Sequence, residues 1–314
     1  MKIAVTSRSF SKNEYLRNYL KKKYKNCIFN DAGNLLSKKE NLIKFLFDAD
    51  AAIVGLDIID KSILKKLPNL KVISKYGVGL NNLDLIEMRS KKISLGYSEG
   101  VNKHSVAELT LAASILLRHK AVIGQSIVRY KEWRQVIGNE IKNCKFGIIG
   151  LGNVGSTLVD LLKPFGCEVS YYDKNKKIIN NKAKKKSLKK LLKESDIISL
   201  HIPLNKSNLN FFDRKKINFM KKNSIFLNFS RGGLVDEKYL LERYKNGFLS
   251  GLGFDVLRDE PLVSINLLKD NIFITPHMGG SSEEAIINMG KKAVINLKKA
   301  EIPSKKFIKY YSIK

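Results

Sequence analysis

Apolar runs in the second half of the chain end, one after another, on residues that bind or react. "IFLNF" (225–229) delivers the chain to Ser230 and Arg231, a permanent cation followed by two glycines. "DIISL" ends at His201 and Pro203, "GLGF" at Asp255, and "NIFIT" at Pro276 and His277. An unpaired charge is costly to bury, so a guanidinium at the rim of a core calls for an anion. That anion is either a protein carboxylate or a ligand that comes and goes. The planar fork of arginine suits a carboxylate, and the company it keeps at the strand ends favours a ligand.

A glycine-rich turn belongs to the same series. "FGIIGLGNVGSTLVDLL" places Gly150, Gly152 and Gly155 between an apolar strand and a helix with Leu158, Leu161 and Leu162 on one face. Such glycines let backbone N–H groups and a helix N-terminus approach a pyrophosphate. The next strand, "CEVSYY", ends at Asp173, 23 residues after Gly150. That is close to the roughly 20 expected of the carboxylate that binds the adenosine ribose of a dinucleotide. An acid there repels a 2′-phosphate and favours NAD, although Lys174, Lys176 and Lys177 lie nearby.

These residues need elements that bring them to one edge. From Lys145 to about His277, short apolar runs alternate with helical patterns, the signature of a parallel sheet covered on both faces. In such a sheet all carboxyl ends line one crevice, where ligands bind. The first hundred residues carry a second alternation: "KIAVTS", "CIFN", "AAIVGL", "KVISKYG" and "ISLGY", separated by helices. A helix over "SVAELTLAASILLRHK", with Val106, Leu109, Ala113, Leu116 and Leu117 on its apolar face, follows, then a second helical stretch through Trp133. The fold class expected is therefore α/β, with two doubly wound parallel-sheet domains.

Bulk composition narrows the function. A chain of 314 residues, 44% hydrophobic, suits two domains with packed cores. No apolar stretch approaches the ~20 residues of a membrane span, and the N-terminus lacks the pattern of a signal peptide. The three cysteines are scattered and the four histidines lack ligand spacing, which points to a reducing, cytoplasmic setting and no metal. The net charge of +29 is spread along the whole chain, without aromatic interleaving or a recognisable nucleic-acid motif. General basicity, attracting anionic substrates and cofactors, accounts for it better than a nucleic-acid partner does.

With these residues in place, the sequence resembles the NAD-dependent D-2-hydroxyacid dehydrogenase family, and within it the phosphoglycerate dehydrogenase-like branch. The motifs that carry the resemblance are "SKYGVGLNNLDL", "SVAELTLA", "GIIGLGNVG", "SDIISLHIPLN", "NFSRGGLVDE", "GFDVLRDEP" and "TPHMGGSSEEA". It implies a flavodoxin-like substrate domain split over 1–98 and 287–314, and a Rossmann NAD-binding domain over 99–286, with no regulatory domain after it. It further implies His277 as general acid/base, Glu260 as its paired carboxylate and Arg231 as the substrate-binding arginine. A histidine can move the proton in reduction of a 2-oxo acid, and a neighbouring carboxylate raises its pKa and orients it.

By the same resemblance Asn153 and Val154 meet the pyrophosphate, and Asp255 holds the nicotinamide carboxamide. His201, Pro203, Phe229, Ser230, Gly279 and Gly280 line the cofactor. Lys75, Val78, Gly79 and Asn102 face the substrate, Asn102 having a simple helix-cap role as its alternative. Asn81 replaces the usual acidic residue of its loop, and "VGLDIIDKSI" lacks the Arg-Ser pair that grips phosphate in authentic phosphoglycerate enzymes. The expected substrate is a small anionic 2-hydroxy or 2-oxo acid of the 3-phosphoglycerate, glycerate/hydroxypyruvate or glyoxylate type. The family norm is a homodimer built through residues 100–140. The same scaffold also serves NAD-sensing corepressors, which add partner-binding extensions not visible here.

Overall fold

The computed structural model describes residues 1–31, 36, 38–261 and 271–312. Contacts divide the chain into two units, Met1–Asn102 with Ser281–Lys314, and Lys103–Gly280.

The first unit holds strands β1 (Ile3–Val5), β2 (Cys27–Phe29), β3 (Ala51–Val54), β4 (Val72–Lys75) and β5 (Ser94–Gly96). They form one sheet in the order β2-β1-β3-β4-β5, and every pair is parallel. Its helices are α1 (Arg8–Lys12), α2 (Glu14–Lys21), α3 (Lys39–Leu46), α4 (Lys61–Leu64) and α5 (Leu85–Ser90). Alternate strand residues enter opposite cores: Ile3, Val5 and Ile53 pack into one, Ala4, Ala52 and Val54 into the other. Burial on both faces is why these strands read as continuous apolar runs.

The second unit opens with α6 (Lys103–Arg118) and α7 (Ala121–Arg129). Strands β6 (Lys145–Ile149), β7 (Glu168–Tyr172), β8 (Lys184–Lys185), β9 (Ile197–Leu200), β10 (Ser224–Asn228), β11 (Leu249–Phe254) and β12 (Ile272–Ile274) follow, with helices α8 (Asn153–Leu162), α9 (Leu188–Glu194), α10 (Arg214–Ile217) and α11 (Glu237–Lys245). The sheet order is β12-β11-β10-β9-β6-β7-β8, again parallel throughout. Phe146, Ile148 and Leu227 face a core shared with α6 and α8; Ile149, Phe226 and Phe254 face one shared with α9, α10 and α11. Two remaining helices, α12 (Glu283–Asn296) and α13 (Lys305–Tyr311), belong to the first unit. The architecture is the expected pair of doubly wound α/β sheets.

Two local expectations fail. The buried stripe of α6 is Val106, Ala107, Thr110, Ala113, Ser114 and Leu117, while Leu116 is 36% exposed. Thr110 and Ser114 enter this core because their hydroxyls donate to the carbonyls of Val106 and Thr110, each at 2.7 Å. Trp133 is not helical: α7 stops at Arg129, the chain turns through Lys131 at φ 61°, and residues 132–140 carry no regular structure.

Candidate active site

The carboxyl edge of the seven-stranded sheet gathers the singled-out residues in strand order. His277 follows β12, Asp255 β11, Arg231 β10, His201 β9, the glycine loop β6 and Asp173 β7. At roughly 4.8 Å per strand, the four steps from β12 to β6 span about 19 Å, the scale of an extended dinucleotide. The strand order reverses between β9 and β6, which is where such sheets open a crevice.

The glycine loop is shaped from two sides. Gly150 has φ 96°, and a Cβ there would lie 2.4 Å from His201 O; one on Gly155 would lie 2.1 Å from Gly150 O. These two glycines answer to the protein's own packing. Gly152, the N-cap of α8, differs, since a Cβ there meets nothing within 4 Å. Open space in front of a helix N-terminus, with Asn153 and Val154 in the first turn, fits a pyrophosphate. The carboxylate of Asp173 fixes the loop, accepting from Leu151 N–H through Oδ2 and from Asn175 N–H through Oδ1, both at 2.8 Å. Each oxygen keeps a lone pair for a ribose hydroxyl.

His201 is half-buried, with Nε2 2.8 Å from Ser199 Oγ. Desolvation pushes its pKa down to about 3, so the ring stands neutral at the end of β9. At the end of β10, the fully buried Asn228 accepts from Ser230 N–H at 3.2 Å and Ser230 Oγ at 3.1 Å, and donates to Arg231 O at 3.0 Å. That side chain sets the turn carrying Arg231. Sequence reasoning passed over it, although a polar residue inside "IFLNF" was the available signal.

The next two strands bring an imidazole and a carboxylate together. Asp255, 3% exposed, accepts from Thr275 Oγ1 at 2.6 Å, Met278 N–H at 2.7 Å and Gly279 N–H at 2.8 Å. Burial raises its carboxyl, and those bonds oppose the shift. The turn so held places His277 at φ 53°, a left-handed conformation, with Nδ1 2.7 Å from Glu260 Oε2. Glu260 Oε1 accepts Leu257 N–H at 2.8 Å. Desolvation works to raise the Glu260 carboxyl, but the hydrogen bond and charge of His277, the Leu257 N–H and the charge of Arg231 together lower it. Arg231 thus acts on a protein carboxylate, and its Nη1 donates to Ser230 O at 2.6 Å. With Nδ1 directed at Glu260, Nε2 of His277 is the nitrogen left to exchange a proton.

In the first unit, Val78 and Gly79 follow β4 beyond Gly77, whose φ is 116°. Tyr97 braces this loop, its hydroxyl donating to Val78 O at 2.9 Å. Lys75 is 4% exposed, and its ammonium donates to Gly55 O and, at 2.8 Å, to Asn82 Oδ1. Asn102 Oδ1 is a buried acceptor with no partner among the described residues. Phe229 is buried, and Pro203 and Gly280 lie in the loops after β9 and β12.

Residues 111–279 match the family model described as D-isomer specific 2-hydroxyacid dehydrogenase, NAD binding domain. The chain belongs to that family. It is an NAD-dependent oxidoreductase of hydroxy acids, and the strand ends from β7 to β12 lie within the matched NAD-binding domain. This 2-hydroxyacid dehydrogenase is similar to a glyoxylate reductase of Thermococcus litoralis, 33% identical over 83% of this chain and 84% of that one. It is similar, at 33% identity, to a D-3-phosphoglycerate dehydrogenase of Methanocaldococcus jannaschii, over 79% of this chain and 49% of that one. A solved D-lactate dehydrogenase of Aquifex aeolicus, complexed with NAD and lactic acid, superposes with a TM-score of 0.79 at 26% identity, covering 95% of this chain and 94% of the other.

Proposed function

We propose that this dehydrogenase reduces a small 2-oxo acid of the glyoxylate or hydroxypyruvate type, with His277 as proton donor, Glu260 as its orienting carboxylate and Arg231 as the substrate anchor. The observation that carries this reading is the 2.7 Å contact of His277 Nδ1 with Glu260 Oε2 at the carboxyl edge, beside Arg231. Bound NADH supplies the hydride to the carbonyl carbon. His277 gives its Nε2 proton to the carbonyl oxygen, and the charge left on Glu260 stabilises the imidazolium before transfer. Arg231 pairs with the substrate carboxylate, and its charge draws electron density toward the carbonyl oxygen. In the oxidation direction His277 must start neutral. Asp173 favours NAD over NADP by repulsion of a 2′-phosphate.

The first unit, taken by itself, offers groups suited to a small anionic acid. The N–H groups of Val78 and Gly79 suit a carboxylate, and the orphan acceptor of Asn102 suits a hydroxyl donor. Lys75 commits its ammonium to Gly55 and Asn82, which supports a substrate without a distal phosphate, in line with relatives named glyoxylate reductase. A homodimer through residues 120–140 is supported by a run of exposed apolar side chains: Val128 (55%), Tyr130 (78%), Trp133 (93%) and Ile137 (87%). Three free cysteines support a cytoplasmic setting.

The deciding measurement is initial rates with NADH and with NADPH against glyoxylate, hydroxypyruvate, pyruvate and phosphohydroxypyruvate. Turnover of the short 2-oxo acids is expected, together with a loss of about 10²–10⁴-fold in kcat for His277→Ala. Undiminished turnover by that variant, or none by wild type, refutes the assignment.

A further inference from the structure

The turn that carries Glu260 is held by a second carboxyl group. Glu237, the first residue of α11, accepts Arg258 N–H through Oε1 at 2.7 Å. Its neighbour, Leu257 N–H, goes to Glu260 itself at 2.8 Å. Two consecutive peptide donors are therefore taken by two different carboxylates, one inside the turn and one outside it. The side chain of Arg258 reaches back over the segment that precedes α11, donating to Val235 O at 2.8 Å, to Gly233 O at 3.5 Å and to Asn210 Oδ1. Gly232 closes the contact: a Cβ there would lie 2.0 Å from the carbonyl carbon of Leu257. The turn bearing Glu260 is thus clamped, backbone against backbone, onto the loop bearing Arg231.

We propose that Glu237 is a positioning residue for the reaction, its carboxylate holding the 257–260 turn so that Glu260 stays within reach of His277. This rests on the catalytic reading of His277 and Glu260 given above. A hydrogen bond to an ionised acceptor is roughly twice as strong as one between neutral groups. The clamp is therefore tight when Glu237 is charged and slack when it is neutral. Desolvation, with Asp259 and Glu260 facing it from the turn, raises the carboxyl to about 7 against the N–H and charge of Arg258. Asp236 and Lys238 flank Glu237 in the chain, while His277 and Arg231 act on Glu260. Loosening of the turn falls in the neutral range, whereas Glu260 is held below the usual carboxylate range and titrates far from it.

Reduction of a 2-oxo acid separates the two groups. His277 donates the proton, a requirement shared by wild type and the Glu237 variants. Glu237 must be ionised, so its protonation gives an acid limb near neutrality. The test uses the full-length protein, NADH and glyoxylate. In Glu237→Gln, which keeps a neutral acceptor, the acid limb near pH 7 should vanish. In Glu237→Ala, kcat at pH 8 should fall on the order of 10-fold with KM little changed, since misplacing a catalytic group costs rate more than binding. Amide exchange of the 257–260 segment supplies a readout that does not need turnover. At a given pH its protection should drop in Glu237→Ala relative to wild type, with α11 still protected. Unaltered protection of that segment, or an acid limb that survives in Glu237→Gln, overturns the proposal. Loss of rate in His277→Ala alongside an unaffected Glu237→Ala would overturn this role and leave the catalytic reading standing.

Discussion

At the scale of single residues, the site separates groups that must carry charge from groups that must not. Glu260 stays ionised because His277, a peptide N–H and Arg231 outweigh its desolvation, while His201 stays neutral because little opposes its own. The neutral imidazole has a cost in acid. Its ordinary pKa of 6.5 returns on unfolding, so the unfolded chain takes up a proton that the folded one refuses until about pH 3. Stability from this residue is intact above pH 6.5 and declines as the pH falls from there toward 3. Thermal melts of His201→Asn against wild type should show a gap that narrows or reverses between pH 7.5 and 5. A gap independent of pH would mean that the ring is solvated. These distinctions were only partly legible beforehand. The types and order of Arg231, Asp255 and His277 could be read because each ends an apolar run. The bonds of Glu237 to Arg258 and of Lys75 to Gly55 could not, because they join segments whose proximity the fold alone creates.

Among the elements, the glycine loop provides the sharpest contrast. Gly155 is required by the carbonyl of Gly150, so Gly155→Ala should displace the start of α8 and cost about 1–3 kcal/mol in chemical denaturation. Gly152 faces open space, so Gly152→Ala should melt like wild type while binding NADH more weakly, on the order of 10-fold by calorimetry. If both variants lost stability equally, the space before α8 would have no ligand to explain it. Strands were the legible elements, since burial on both faces writes an unbroken apolar run. Helix α6 was less so: Thr110 and Ser114 satisfy their hydroxyls on the preceding turn and enter the core, leaving Leu116 outside. Beyond α7 the helical reading fails, because the chain passes through a left-handed turn at Lys131 and leaves Trp133 93% exposed.

For the whole molecule, the net charge of +29 and an exposed apolar arm pull in opposite directions. Charge of that size disfavours association of copies at low salt, while Tyr130, Trp133 and Ile137 favour it. Sedimentation should accordingly show a dimer that tightens as salt screens the lysines, and Trp133→Lys with Ile137→Lys should leave a monomer at every salt concentration. A monomeric wild type at high salt would contradict the assignment of this arm to an interface. The arm also carries the molecule's single tryptophan, 93% exposed in one chain. All indole fluorescence therefore comes from one ring in contact with water. If a second chain covers that ring as proposed, its emission should move to the blue and iodide should cease to quench it, so that assembly would be readable without a dye.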